Sequence, residues 1–404
     1  VPFLVHGDTA WSLLVNLTLA EAEEYLDDCQ AKGFNAVIAN LIEHSFTINT
    51  APQNANGDAP FTGTAFQSAT VTAYFDHVLA VVQAAAARGI VVFLEPCYLG
   101  FEGGSEGWHA EIEAASAGQA EAWGAFVGAL LADEPNIVYV MFGDYEPASA
   151  ARTASIVAGI QGADSSHTLY GAHYGSPSHS GHDAINAWDT WDFCYKKVDG
   201  YMHHEALDGY AADFGPCIMG EAQYENNPTD PADQEQLRRQ AWGFLLSGGI
   251  GGHFYGNAKI WGFGNSVHFD GNDWADSAND PGRLSMAHVL AFFAAIPWHT
   301  LVPDTSSALV TAGRGTLLSA AYVTAAKSAD STVAAIYAPG SITVDLTQMA
   351  GSGAVTARWY DPTDGSFTAA TGSPIAQGSH AFVASSEVGN NSGGDPDWVL
   401  LLET

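Results

Sequence analysis

Basic residues are scarce in this chain. Lysine and arginine total 12 against 45 aspartates and glutamates, a formal charge of -33 over 404 residues. A polyphosphate or an anionic membrane would meet strong repulsion, so neither nucleic acid nor a membrane surface is expected as a partner. The same imbalance disfavours a polyuronate unless local basic residues offset it, and it leaves neutral carbohydrate or apolar molecules as easier ligands. Part of the charge simply serves colloidal solubility. Cysteine is rarer still. Cys29, Cys97, Cys194 and Cys217 lie far apart and form no C-x-x-C pair, which argues against a zinc ribbon or a thioredoxin-type motif. Cys194 and Cys217 fall on consecutive strand-like runs, where they could bridge or remain buried thiols. No apolar run reaches the roughly eighteen residues of a membrane span. The chain enters an apolar strand within a few residues of Val1, without a basic n-region or an h-region, so any export signal is expected to have been removed or never present. Internal repeats and long low-complexity tracts are also missing.

What is present is alternation. Strand-like runs at 3–7, 35–41, 90–98, 137–143, 168–173, 192–196, 216–220 and 251–255 are separated by helical patterns at 19–32, 71–88, 117–131, 149–161 and 233–247. Eight strands alternating with helices close a barrel. Lys32-Gly33 and Arg88-Gly89 are helix stop signals, and Ser149 is a start signal. The segment from Glu43 to Ser68, rich in Asn, Gly, Pro and Thr, reads as an elaborated loop after strand two, at the end of a barrel where substrate clefts are built. After Pro297-Trp298 the pattern changes to short alternating runs at 332–337, 342–346, 355–360 and 398–402, with Asp361-Pro-Thr-Asp-Gly365 a turn between two of them. The expected fold is therefore α/β: a (β/α)8 TIM barrel over residues 1–302, followed by a small antiparallel β-sandwich over 303–404.

Two segments carry chemistry. Asn136-Ile-Val-Tyr-Val-Met-Phe-Gly-Asp144-Tyr-Glu146 and Gly215-Pro-Cys-Ile-Met-Gly-Glu221-Ala-Gln-Tyr-Glu225 each run an apolar strand into glycine and then a carboxylate. An acid at the C-terminal end of a buried parallel strand stands at the mouth of the barrel. Two such acids equip a glycosidase: one, protonated, assists departure of the leaving group while the other, ionised, attacks. With so few cations in the chain, ion pairing is a weaker explanation of Asp144 and Glu221 than catalysis. Glu146 rivals Asp144, but it has left the strand and precedes Pro147. Asp8 and Trp11 follow strand one and suit a cleft, since a carboxylate accepts from two sugar hydroxyls and an indole face packs on a sugar ring, although Asp8 could equally cap a helix. Asn40, Glu95, His173, Tyr174, His204 and Tyr255 sit at or just beyond other strand ends, and Trp261 in the last loop could form a stacking wall. Arg238 and Arg239 better suit structural salt bridges.

Other patterns carry less. Gly103-Gly-Ser105-Glu-Gly107 matches G-x-S-x-G, the mark of an esterase, but Ser105 lies beyond the strand rather than on a strand-to-helix elbow. His173, His179, His182 and Asp183 are interrupted by Gly, Ser and Pro, and no H-E-x-x-H helix exists, so no metal is expected there. Asp270, Asp273, Asp276 and Asp280 lack the spacing of an EF-hand loop and read as a solvated loop.

Gly7-Asp8-Thr-Ala-Trp11, Phe142-Gly143-Asp144, Gly220-Glu221-Ala-Gln-Tyr-Glu225 and Gly252-His-Phe-Tyr-Gly256 with Trp261 resemble the apiosidase-type glycoside hydrolases of family 140 along essentially the whole chain. Arg358-Trp-Tyr-Asp-Pro362 and Trp398-Val-Leu-Leu-Leu402 resemble the small β-sandwich appended to that family, whose collagen-binding label is only a name. The resemblance implies a clan-A barrel, with Asp144 matching the acid/base after strand four and Glu221 the nucleophile after strand seven. The chain departs from the family pattern in Phe142, where glycine is common, and in Ala222, where proline is common. Both acids are intact. The expectation is a cofactor-independent, metal-free retaining glycoside hydrolase, secreted or periplasmic, that cleaves a neutral furanosyl bond in a plant or microbial polysaccharide or glycoconjugate. An apiosidase acting on pectin is the alternative within that class. A non-catalytic carbohydrate-binding protein on a barrel scaffold is the alternative outside it, and the two strand-end acids argue against it.

Overall fold

A computed structural model describes residues 2–147, 151–179, 187–196, 199–264 and 274–404. Ser149, His182, Asp183, Asp270 and Asp273 lie outside the described residues, as does the side chain of His179. Nine strands form the first sheet: β1 Val5–Thr9, β2 Ala36–Asn40, β3 Val91–Glu95, β4 Ile137–Phe142, β5 Tyr170–His173, β6 Ser178–His179, β7 Asp192–Tyr195, β8 Cys217–Glu221 and β9 Gly252–Tyr255. Their order is β5-β4-β3-β2-β1-β9-β8-β7-β6, parallel throughout except for the two-residue β6. Among the described residues, the ring is open in ladder bonds only between β5 and β7. Thr190 crosses that gap, its N–H donating to Tyr170 O at 2.8 Å. The eight parallel strands thus form a nearly closed TIM barrel.

Local chemistry sets the helix ends. Thr18 and Ser116 each open a helix, Leu19–Ala31 and Ala117–Leu131, with a reciprocal capping box to Glu21 and Gln119. Gly33 and Gly89 follow their helices at φ of 85° and 70°, a conformation that glycine adopts without strain. Helices Met202–Ala212 and Pro281–Ala294 are additional to those expected, and the latter carries its proline in the first turn.

Strand alternation decides what faces the cleft and what faces the helices. Val5, Ile38, Phe93, Val140, Phe193, Ile218 and Phe254 fill the barrel. Gly7 stands on the same face, where a Cβ would come within 2.2 Å of the Phe254 ring. Residues between these point outward, so His6 and His253 meet beneath the helical layer, Nδ1 to Nε2 at 2.9 Å. The four cysteines are buried and none forms a disulfide.

Beyond the barrel, six strands ordered 301–303, 324–328, 333–338, 398–403, 356–360 and 367–369 face three ordered 310–312, 342–345 and 379–382, making an antiparallel sandwich with its own core around Ile336, Trp359 and Leu400. The opposite face of the larger sheet, with Tyr337, Tyr360, Val399 and Leu401, belongs to the barrel's apolar cluster. Arg238, fully buried on helix Gln234–Leu245, crosses to this domain: Nε meets Asp397 Oδ2 at 2.8 Å and Nη2 meets Asp397 Oδ1 at 2.7 Å. Tyr337 OH also donates to Asp397 Oδ2, at 2.9 Å. Arg239 pairs with Glu235 one turn away, at 3.3 Å.

Candidate active site

At the C-terminal rim, two departures from regular strand geometry aim the acids. Cys194 pairs with Met219, but Tyr195 pairs with Glu221, so Gly220 is an extra residue in β8. Strict alternation from Ile218 would turn Glu221 outward; the bulge turns it into the cleft. Gly220 is required there because a Cβ would come within 2.1 Å of the Phe193 ring. At the end of β4, Phe142, Gly143 and Asp144 have φ of 81°, 80° and 53° in succession. Such strain in non-glycine residues costs about 1–3 kcal/mol each and concentrates at functional sites.

His173, at the end of β5, links three carboxylates. Its Nδ1 meets Glu95 Oε1 at 2.9 Å, and its Nε2 lies 2.9 Å from Glu221 Oε2 and 3.7 Å from Asp144 Oδ1. A ligand atom from each of Asp144, His173 and Glu221 falls within 4.8 Å of the others. Burial lowers the imidazole's proton affinity, but the bonds to Glu221 and Glu95 and the nearby charges outweigh it and push the pKa up to about 10. The carboxylates around it thus favour the imidazolium form of the ring at neutral pH. Burial pushes Glu95 up to about 7 against the opposing pull of His173. The ring is clamped flat between Phe193, at 4.7 Å, and Trp11, at 5.3 Å.

A cleft of about 210 Å³ opens over this cluster, walled by Trp11, Asn40, Tyr98, Tyr224 and Trp261 among others. Tyr98 OH donates to Asp144 Oδ2 at 3.1 Å. Trp11 Nε1 donates to Tyr224 OH at 2.8 Å, and burial followed by the charge of Glu221 keeps Tyr224 a phenol. Asn40 Nδ2 donates to Glu43 Oε1 at 2.9 Å, leaving its Oδ1 without a partner among the described residues. Ser12 Oγ shares the same Glu43 oxygen, and burial pushes Glu43 up to about 8.

Of the residues expected at the site, Asp144, Glu221, Trp11, Asn40, His173 and Trp261 line the cleft. Glu95 lies behind His173 rather than in the wall. Four expectations are corrected. Asp8 lies outside the cleft because it alternates with Gly7: Arg283 Nη2 meets its Oδ2 at 3.0 Å and Tyr25 OH donates to the same oxygen at 2.9 Å. Tyr255 follows the inward Phe254 and turns out to bond Glu225. Tyr174 follows the inward His173 and packs on Phe142, ring centroids 5.2 Å apart. His204 belongs to helix Met202–Ala212, where it neighbours Glu205 and Asp208. Glu146 and Ser105 are exposed, and Ser105 occupies a turn rather than an elbow.

Tyr98, Tyr224, Phe46, Phe101 and Asn227 line the cleft without having been singled out. Tyr224 lies inside the Glu221 segment, where its position three residues on was a usable signal. Tyr98 follows β3 in an irregular stretch whose geometry no periodicity encodes. Asp192, Cys194 and Cys217, and separately His204, Glu205 and Asp208, also group ligand atoms within 4.8 Å. Lys196 Nζ already occupies the second group, 2.6 Å from Glu205.

A family model described as "Apiosidase-like, catalytic domain" matches residues 1–300, and one described as "Putative collagen-binding domain of a collagenase" matches 302–403. No curated protein matches the chain. A solved structure named "Glycoside hydrolase" aligns over 100% of this chain and 93% of its own, with TM-score 0.83 and 23% identity. A glycoside hydrolase family 5 structure from Bacteroides vulgatus aligns over 100% and 90%, with TM-score 0.83 and 21% identity. A family 5 mannosidase from Rhizomucor miehei aligns over 73% and 94%, with TM-score 0.54 and 12% identity. At these identities the structural likenesses bear on the fold alone. The family match covers the whole barrel, including both strand-end acids, and the chain accordingly belongs to the apiosidase-like family and is a glycoside hydrolase.

Proposed function

We propose that the enzyme is a retaining hydrolase of neutral furanosyl glycosides in plant or microbial glycans, with Glu221 as nucleophile and Asp144 as acid/base. The observation that carries this reading is the clustering of Asp144, Glu221 and His173 within 4.8 Å at the floor of one cleft. Carboxyl groups about 5–5.5 Å apart suit direct attack, whereas inversion needs about 6.5–9.5 Å to admit a water. Glu221 attacks the anomeric carbon as Asp144 protonates the departing oxygen. Asp144 then deprotonates the water that releases the sugar from Glu221. The imidazolium of His173, 2.9 Å from Glu221 Oε2, favours the ionised nucleophile, and Tyr98 fixes the orientation of Asp144. Trp11 and Trp261 supply faces for a sugar ring, and Asn40 Oδ1 an acceptor for one hydroxyl.

An apiosidase acting on apiose-containing pectin is the alternative within this class, in keeping with membership in the apiosidase-like family. Action on such glycans implies a secreted or periplasmic site of work. The test is a panel of aryl furanosides and pyranosides, apiosides included, assayed with wild type, Asp144→Asn and Glu221→Gln. Furanoside turnover that falls by at least about 10³-fold in each variant, without loss of folding, supports the assignment; activity within about tenfold of wild type in either removes it.

A further inference from the structure

The loop after β2 faces two cavities. Asn40 and Phe46 line the catalytic cleft, while His44 and Ser45 between them line a second cavity of about 410 Å³. Trp108 stands between the two: its N–H donates to the carbonyl of Tyr98, a cleft residue, at 2.8 Å, and its indole Nε1 to Ile42 O at 3.4 Å. Phe61 and Trp108 form an apolar wall, ring centroids 6.1 Å apart. The polar wall is His44, whose Nε2 lies 3.3 Å from Glu111 Oε1 and whose Nδ1 lies 2.9 Å from Ser45 Oγ. Glu111 Oε2 is shielded from solvent and has no hydrogen-bond partner among the described residues. The Glu111 side chain as a whole is one-third exposed (34%), so its carboxylate, beside His44, can accept from a hydroxyl brought from outside. None of the described wall residues is Lys or Arg, which disfavours an anionic ligand.

We infer that this cavity is a second sugar subsite, which holds a neutral, hydroxyl-rich unit of the same glycan whose scissile unit occupies the cleft. Aromatic faces with a few convergent polar groups and a volume in the usual range for ligand pockets are what such a unit requires. The inference rests on the glycoside hydrolase reading, and it implies that the enzyme acts on chains rather than on isolated glycosides.

Calorimetric titration of Glu221→Gln, which prevents turnover, with arabinotetraose, galactotetraose, xylotetraose and cellotetraose and with each parent monosaccharide tests it. At least one tetrasaccharide should bind at least about tenfold tighter than its monosaccharide, and Glu111→Ala or Thr64→Trp in the same background should abolish that advantage. Thr64 lies at the exposed edge of the cavity, so its replacement blocks entry without disturbing a packed core, and thermal melts report folding of both variants. Equal binding of tetrasaccharides and monosaccharides, or an advantage that survives in both variants, overturns the inference. A Glu111-dependent advantage in an enzyme that cleaves none of the aryl glycosides sustains the subsite and removes the substrate assignment instead.

Discussion

His173 Nε2 lies 2.9 Å from Glu221 Oε2, and the same ring bonds Glu95 through Nδ1. One cation thereby serves two buried acids, in a protein with few cations to spare. Removing it should disfavour the ionised nucleophile. For His173→Gln, kcat/KM is expected to fall on the order of 10–100-fold, and the acidic limb of its pH profile should move to higher pH. A profile that drops in height without moving would make His173 a packing residue only.

Stability should depend on pH in a two-sided way. Against the lowering effect of burial, the bonds to Glu221 and Glu95 place His173 at about 10, above its ordinary 6.5, while burial places Glu95 and Glu43 at about 7 and 8, above 4.5. For groups raised on folding, the stabilising contribution is complete below the unfolded pKa and is lost as pH rises through the folded one. Burial lowers His253 to about 3 and lowers His6 as well, so their contribution is complete above 6.5 and is lost as pH falls toward 3. Between about pH 4.5 and 6.5 the two sets oppose each other. Calorimetric melts should therefore give a broad Tm maximum in that interval, declining toward pH 10 and toward pH 3.5. A Tm that climbs steadily to pH 9 would contradict these shifts.

Gly143 has φ of 80°, and a Cβ there would come within 2.3 Å of Tyr98 Cδ2 and 2.7 Å of Glu95 Oε2. Tyr98 bonds Asp144, the proposed acid/base, and Glu95 bonds His173. Gly143→Ala should lower kcat by at least about tenfold and destabilise the fold by about 1–3 kcal/mol, with chemical denaturation and steady-state kinetics as the two readouts. Wild-type kinetics in this variant would mean that the strained turn is not part of the catalytic arrangement.

The barrel and the sandwich should unfold together. Arg238 and Asp397 are both inaccessible to solvent, and Tyr360 OH reaches across to His288 O at 2.8 Å. Asp397→Ala leaves a buried guanidinium without its main partner, a loss of roughly 3–5 kcal/mol and a Tm drop on the order of 10 °C. A chain ending at residue 302 should be insoluble or unstable, because it bares the apolar helix faces that carry Trp242 and Phe292. A soluble, fully active truncation that loses only polysaccharide binding would identify the sandwich as a binding module.

The barrel was legible because each strand is a short buried run punctuated by glycine, and Asp144 and Glu221 because each directly follows such a run. Proximity to a strand end was too coarse a guide to the rest. Asp8, Tyr174 and Tyr255 all lie at strand ends, yet each is one residue out of phase with an inward neighbour and so faces the helices. Glu221 would have been misplaced by the same alternation, had the bulge at Gly220 not reset it. His204 required recognition of helix Met202–Ala212, whose first turn carries two histidines and little apolar periodicity. Asp280-Pro281 did carry a helix-start signal, which reading the acidic stretch as loop obscures. The Tyr98 contact with Asp144 depends on loop geometry alone, with no periodic trace in sequence.

The central claim is that Glu221 forms a covalent glycosyl intermediate which Asp144 helps to make and break. Proton NMR of the products of Asp144→Ala acting on a dinitrophenyl glycoside in azide tests it most directly, because a good leaving group needs no acid and azide needs no base. The account predicts azide rescue in Asp144→Ala but not in Glu146→Ala, with a glycosyl azide of unchanged anomeric configuration. Rescue in Glu146→Ala alone, or an inverted hydrolysis product from the wild type, would contradict it.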